Sequence, residues 1–268
     1  MSSDWKDSFH YDYFRELLHA AKDNFSIFLM KEAPQVLAAG TKPALILRHD
    51  LDISLKRALP LGEIEKRLGV SATYMVLVDS PVYDLSSEES QEILKDLMNM
   101  GHEVALHFSA KANPGMDVSD WNEIERQVLE AKAHLEDIIQ CEVASISFHR
   151  PITRFLRGPL WIFNLVNAYS AELMDWYLSD SAGRWREEPL PQMLQPRKPL
   201  LQLLIHPIWW GINHLKAEDR LEEFFQSETF SLSSAARDCF DQGLASTLGI
   251  RRRGSIGCIP QKDRGGNL

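Results

Sequence analysis

Residues 45–52, Leu45-Ile46-Leu47-Arg48-His49-Asp50-Leu51-Asp52, begin as an apolar run suited to a buried strand and end in an arginine, a histidine and two aspartates. A packed interior accepts such groups only with hydrogen-bond partners or a metal ion. The stretch therefore reads as a strand that opens into the mouth of an active site. The rest of the chain is read for groups that could meet these carboxylates there.

Strand and helix patterns alternate on the C-terminal side. Residues 55–68 space Leu59, Leu61, Ile64 and Leu68 at helical intervals and stop at Gly69, and residues 72–78 are β-branched and aromatic. Ser86-Ser87-Glu88-Glu89 has the pattern of a capping box opening a helix over 88–100, stopped by Gly101, and Glu103 to Leu106 is the next strand. A helix over 120–139 leads to a strand over 143–148; residues 164–169 and 175–178 are weaker strand candidates, and 200–205 is a strong one. On the N-terminal side, residues 10–24 predict an amphipathic helix, and 25–30 an extended segment. Repeated strand–helix–strand order predicts a parallel sheet, because parallel neighbours need crossover helices. Three regions are expected: 1–43 packed on the barrel, 44–245 forming it, and a basic tail over 246–268 carrying Arg251, Arg252 and Arg253.

Composition narrows the function classes. The chain has 268 residues, 44% of them hydrophobic and 25% charged, as in ordinary globular domains. A formal net charge of -9 argues against a sequence-independent grip on nucleic acid or on an anionic membrane. Three widely spaced cysteines, Cys141, Cys239 and Cys258, make neither a disulfide framework nor a zinc knuckle. No apolar run reaches transmembrane length and Met1 to Asp7 has no leader pattern, so a cytoplasmic location is expected.

The chemistry gathers where strands end. Leu47 runs into Arg48, Leu106 into His107, Phe148 into His149 and Arg150, and Ile205 into His206. In parallel α/β folds, ligand and catalytic groups collect at the carboxyl ends of the strands. Asp50 and Asp52, two apart, project to one side of an extended chain and His49 to the other. A divalent metal lets both carboxylates stay ionised, one as a ligand and one as a base. His107 with Asp52 supplies the nitrogen–oxygen ligand mixture that suits zinc. His149 is the expected third ligand, with His49 and Asp180 as substitutes. His102, about 17 Å from His107 along the strand and on the opposite face, is expected to be structural. Arg48 and Arg150 could orient a carboxylate base or hold an anionic substrate group. Asp180, Trp185 and Trp210 are substrate-side candidates, tryptophans at a site mouth being suited to stacking on sugar rings.

Taken in order, Arg48-His49-Asp50-Leu51-Asp52, Gly101-His102-Glu103 leading to His107, Phe148-His149-Arg150-Pro151 and Leu204-Ile205-His206-Pro207 resemble the motifs of the polysaccharide deacetylase (NodB-like) superfamily, carbohydrate esterase family four. The resemblance covers about residues 45–210. It departs from the better-known members, in which the two aspartates are adjacent and a second histidine follows the first by four; here Leu51 intervenes and the later position is Lys111. The pattern is similar to a divergent branch associated with surface polysaccharide biosynthesis. The resemblance implies a distorted seven-stranded (β/α) barrel and metal-dependent hydrolysis of an N-acetyl group on an amino sugar or oligosaccharide. It also implies Asp50 as base, Asp52 and His107 as metal ligands and His206 as a catalytic histidine. Two alternatives remain: a degenerate fold that binds saccharide or a partner without turnover, and a metal-dependent hydrolase of another amide or ester.

Overall fold

The computed structural model describes residues 9–40, 43–110, 120–149, 151 and 153–228. Arg150, Lys111 and the basic tail over 246–268 lie outside the described residues. Among those described, no helix is long and apolar enough to cross a membrane.

The strands decide the architecture. In chain order they are β1 (Ser26–Phe28), β2 (Ala44–Leu51), β3 (Thr73–Leu77), β4 (Glu103–Phe108), β5 (Ser145–Phe148), β6 (Trp161–Ile162), β7 (Leu165–Asn167), β8 (Tyr177–Ser179) and β9 (Leu200–Ile205). They form one sheet in the order β6-β7-β5-β4-β3-β2-β9-β8, in which β1 also pairs with β2. The pairing is parallel throughout except between β6 and β7. β1 lies along the first half of β2 (Ser26 opposite Ala44) and β3 along the second half (Arg48 opposite Thr73). The sheet is strongly curled: Arg48 on β2 reaches the hydroxyl of Tyr169, just past β7, at 3.2 Å. Four strand spacings in a flat sheet would separate them by about 19 Å. The α/β class and curled, barrel-like sheet are those expected, with β1 and β6 added to seven parallel strands around the arc; β7 and β8 are not paired with each other.

Side chains alternate between the two faces of the strands. One face carries Leu45, Leu47, Tyr74, Val76, Val104, Leu106, Ile146 and Leu201, packed under helices. These helices are α1 (Tyr11–Asn24), α3 (Ala58–Leu68), α4 (Glu88–Asn99) and α5 (Trp121–Ile139). On α5, Ile124, Val128, Ala131, Leu135 and Ile139 recur at helical spacing on the buried face. Asp120 caps its start by accepting from Asn122 N and Glu123 N. α3 ends at Gly69, whose φ of 66° is a left-handed conformation that glycine adopts without strain. α4 is capped by Ser87 rather than through the expected box: the third helical residue is Ser90, so no glutamate is placed to reach back.

The other face lines the barrel. Ala44, Ile46, Met75, Ala105, Val166, Ala168 and Leu200 pack there against Met30, Ala33 and Val36. Ala33 and Val36 lie on α2 (Ala33–Ala39), so this short segment closes the amino end of the barrel. A buried glutamate ties it down. Glu103 accepts from Thr73 Oγ1 at 2.8 Å, from Lys31 N at 3.1 Å and from the Ser145 hydroxyl. With the amino end filled, the polar residues further along β2, β4 and β9 are pushed toward the carboxyl end.

Candidate functional site

β2 continues through the charged residues to Leu51, and every residue in it is buried. Two internal partnerships make that possible. On the barrel side, Arg48 donates from Nε to Asp50 Oδ1 at 2.7 Å and from Nη2 to Asp50 Oδ2 at 2.6 Å, a bidentate pair with both side chains almost fully buried. On the helix side, His49 Nε2 lies 2.6 Å from Glu65 Oε1 on α3, and its ring stacks on Tyr74. His49 is thereby excluded as the alternative metal ligand: it points away from the barrel. The Tyr74 hydroxyl donates to the other Glu65 oxygen at 2.7 Å. His102 is structural, as expected; its Nδ1 accepts from Ala72 N at 3.2 Å, which leaves Nε2 to donate to Gly62 O at 3.2 Å.

Asp50 and Asp52 project to the same side, and the carboxyl ends of β4, β5 and β9 bring histidines to them. His107 Nε2 is 3.0 Å from Asp52 Oδ1 and 3.8 Å from Asp50 Oδ2. His149 Nδ1 is 3.2 Å from the same Asp52 oxygen. His206 Nε2 is 3.8 Å from Asp52 Oδ2. The His107 ring is held from behind, its Nδ1 2.6 Å from the Ser147 hydroxyl on β5. The donor atoms of Asp52, His107 and His149 all lie within 4.8 Å of one another.

These donors fit a divalent metal. Asp52 Oδ1 is fully buried yet takes no aligned hydrogen bond, although two imidazole nitrogens face it. A buried oxygen without a hydrogen-bond donor is costly, and a cation shared with the two imidazoles would relieve it. Two nitrogens and one carboxylate oxygen are a common donor set for a catalytic zinc with an open position. Burial by itself would raise the Asp52 carboxyl, but His149 and His107 beside it hold it well below the usual range. Asp50 is likewise raised by burial and lowered on balance by the Arg48 guanidinium, with His107 helping. Both carboxylates are therefore ionised at neutral pH.

His206 has the opposite character. Burial favours its neutral form, but Asp180, Asp52 and Asp50 push the imidazole up to about 9. Asp180 is the fully buried anchor: it accepts from His206 N, sits 2.6 Å from His206 Nδ1, and accepts from Trp210 Nε1 at 2.9 Å. Asp180, expected among the substrate contacts or as a third ligand, thus has its oxygens committed to His206 and Trp210. Trp185 and Trp210, expected to stack on substrate, are buried and pack with Phe9 and with each other. Their faces are taken by the protein, and Trp210 instead donates to the Asp180 that holds His206.

Three neighbours of the site escaped the sequence reading: Gln202, Tyr169 and Ser147. Gln202 accepts from Arg48 Nη1 at 3.2 Å, and the Tyr169 ring lies under the guanidinium at 4.7 Å. A signal existed for two of them, because Ser147 precedes His149 by two and Gln202 precedes His206 by four, on the same strand faces. Tyr169 carried a weak one, as the last residue of the strand candidate over 164–169, of which only Leu165–Asn167 is a strand.

No family model matches the chain, and no curated protein matches it. Solved structures do. One is a mutant of BA3943, described as a CE4 family pseudoenzyme with restored enzymatic activity; it is 16% identical over 71% of this chain, with a TM-score of 0.41. The chain spans 64% of that structure, less than two thirds of its length. Another is the Streptococcus pyogenes deacetylase PplD in complex with acetate, 12% identical over 79% of this chain and 85% of that one, TM-score 0.43. A third is a family 4 acetyl xylan esterase from Clostridium thermocellum in complex with a cobalt ion, 15% identical over 68% of this chain and 83% of that one, TM-score 0.40.

Proposed function

We propose that this chain is a metal-dependent carbohydrate N-deacetylase of the carbohydrate esterase family four type, acting on an amino sugar or saccharide precursor of a surface polysaccharide. The observation that carries the reading is the convergence of His107 and His149 on one buried oxygen of Asp52, with Asp50 3.8 Å from His107 and His206 3.8 Å from the other Asp52 oxygen. Asp52, His107 and His149 would hold the ion, zinc foremost. A bound divalent ion supplies Lewis acidity toward an acyl carbonyl and acidifies a water.

The protein's own groups divide the proton transfers. Asp50, ionised and held by Arg48 in one orientation, takes the proton from the attacking water. His206, charged at neutral pH and aligned by Asp180, gives a proton to the departing sugar nitrogen. An amide needs that second transfer, because without it the nitrogen would have to leave as an amide anion. The two roles need opposite protonation states at one pH, and the surroundings of Asp50 and His206 provide them.

Acetate release from nucleotide-linked and lipid-linked N-acetyl amino sugars tests the reading, with simple esters alongside. The zinc-loaded protein should release acetate, and Asp50→Ala and His206→Ala should each reduce release by about 100-fold or more with metal still bound. Full activity in either variant would contradict the assigned roles. A scaffold that binds saccharide without turnover would purify with little metal.

A further inference from the structure

We propose that Gln202, on the neighbouring strand β9, and Tyr169, from across the curled sheet, are positioning residues that set the orientation of Asp50 through Arg48. The inference rests on the reading of Asp50 as base. It starts from what surrounds the guanidinium. Arg48 is fully buried, and its Nε and one Nη2 hydrogen go to Asp50. The remaining contacts come from elements distant in sequence: Nη1 donates to Gln202 Oε1 on β9, and Nη2 also donates to the Tyr169 hydroxyl.

Gln202 cannot turn. Its Nε2 donates to Ala168 O at 2.9 Å and to Leu173 O at 3.2 Å, so its carbonyl oxygen is fixed toward Arg48. Tyr169 is set by its own backbone, whose N donates to Asn167 Oδ1 at 3.0 Å, and its ring faces the guanidinium plane. A guanidinium is planar, so fixing Nη1 and one face fixes the direction of Nε and Nη2. The Asp50 carboxylate, bonded through both oxygens, follows that direction. Without these two residues, Arg48 would still pair with Asp50 but could swing with it, and base geometry is sensitive at that scale.

Hydrolysis of 4-nitrophenyl acetate by the zinc-loaded full chain isolates this step, because 4-nitrophenolate leaves without protonation by His206. Tyr169→Phe keeps the ring and removes only the acceptor; Gln202→Leu keeps the volume. Each should lower kcat about ten- to a hundredfold with KM little changed. Each should also shift or broaden the Arg48 Nε–H resonance, assigned by its loss in Arg48→Lys. A merely structural role would move neither kcat alone nor that resonance. An unchanged kcat in both variants, or a lower kcat with an unchanged Arg48 resonance, would overturn the proposal. A zinc-loaded wild type that hydrolyses neither this ester nor the N-acetyl amino sugars would contradict the reading of Asp50 as base, and the Arg48 resonance would then decide the positioning by itself; where only the amide is cleaved, kcat is read on the amide.

Discussion

Asp180 holds His206 at the imidazole and at the backbone N–H, so one carboxylate sets the position of the proposed acid and is the strongest of the three that hold it charged. Since Asp180 raises the imidazole above its ordinary value, it is protonated at neutral pH, and deacetylation should fall on the alkaline side as that proton is lost. Asp180→Asn removes the strongest raising partner, so the alkaline limb of the pH–rate profile should move down toward the ordinary imidazole range near about 6.5. An unmoved limb would mean that another group limits the rate. The same shift carries a stability consequence. A folded-state value above the unfolded one stabilises in full below about pH 6.5 and is lost as pH rises through about 9. Urea midpoints of the wild type should therefore decline across that window more steeply than those of Asp180→Asn.

At the scale of the elements, β2 is welded on both faces. The barrel face uses Arg48 and Asp50; the helix face uses a buried Glu65 on α3 that meets His49 and Tyr74, with His102 Nδ1 3.6 Å away. Glu65→Ala would leave the Tyr74 hydroxyl and the His49 ring without a buried partner, at a cost of about 3 kcal/mol or more. Its urea midpoint should fall accordingly, while Glu65→Gln, which can still bond Tyr74, should lose less. Equal losses would place the stabilisation in packing alone. The long elements were legible in the sequence because their apolar spacing is regular: 121–139, 88–99 and 200–205 are found within a residue or two of the expected bounds. Some short ones were not. β6 spans two residues, and α6 (Pro189–Leu194) and α2 only six and seven, too few for a period to show. The turn joining β6 to β7 also hides itself, placing Phe163 and Asn164 at positive φ without a glycine to announce it.

For the whole molecule, curling of the sheet gathers the site. Asp52, His107, His149 and His206 stand far apart in sequence, and each could be picked out as a polar residue at or beyond the end of an apolar strand. Their companions could not be sorted in the same way. Arg48, His49 and Asp50 look alike as charged residues after Leu47, and only the strand's alternation sends His49 to Glu65 and the others into the barrel. Trp185 and Trp210 looked suited to a sugar ring until the N-terminal Phe9 occupied them from about 200 residues away, a distance over which no local pattern reports. The central claim is that Asp52, His107 and His149 together hold the ion that supports hydrolysis. Anomalous diffraction at the zinc edge from zinc-soaked crystals tests it most directly. The account predicts one strong peak bounded by Asp52, His107 Nε2 and His149 Nδ1, lost in His149→Ala; a peak held by other residues, or none in protein that still releases acetate, would contradict it.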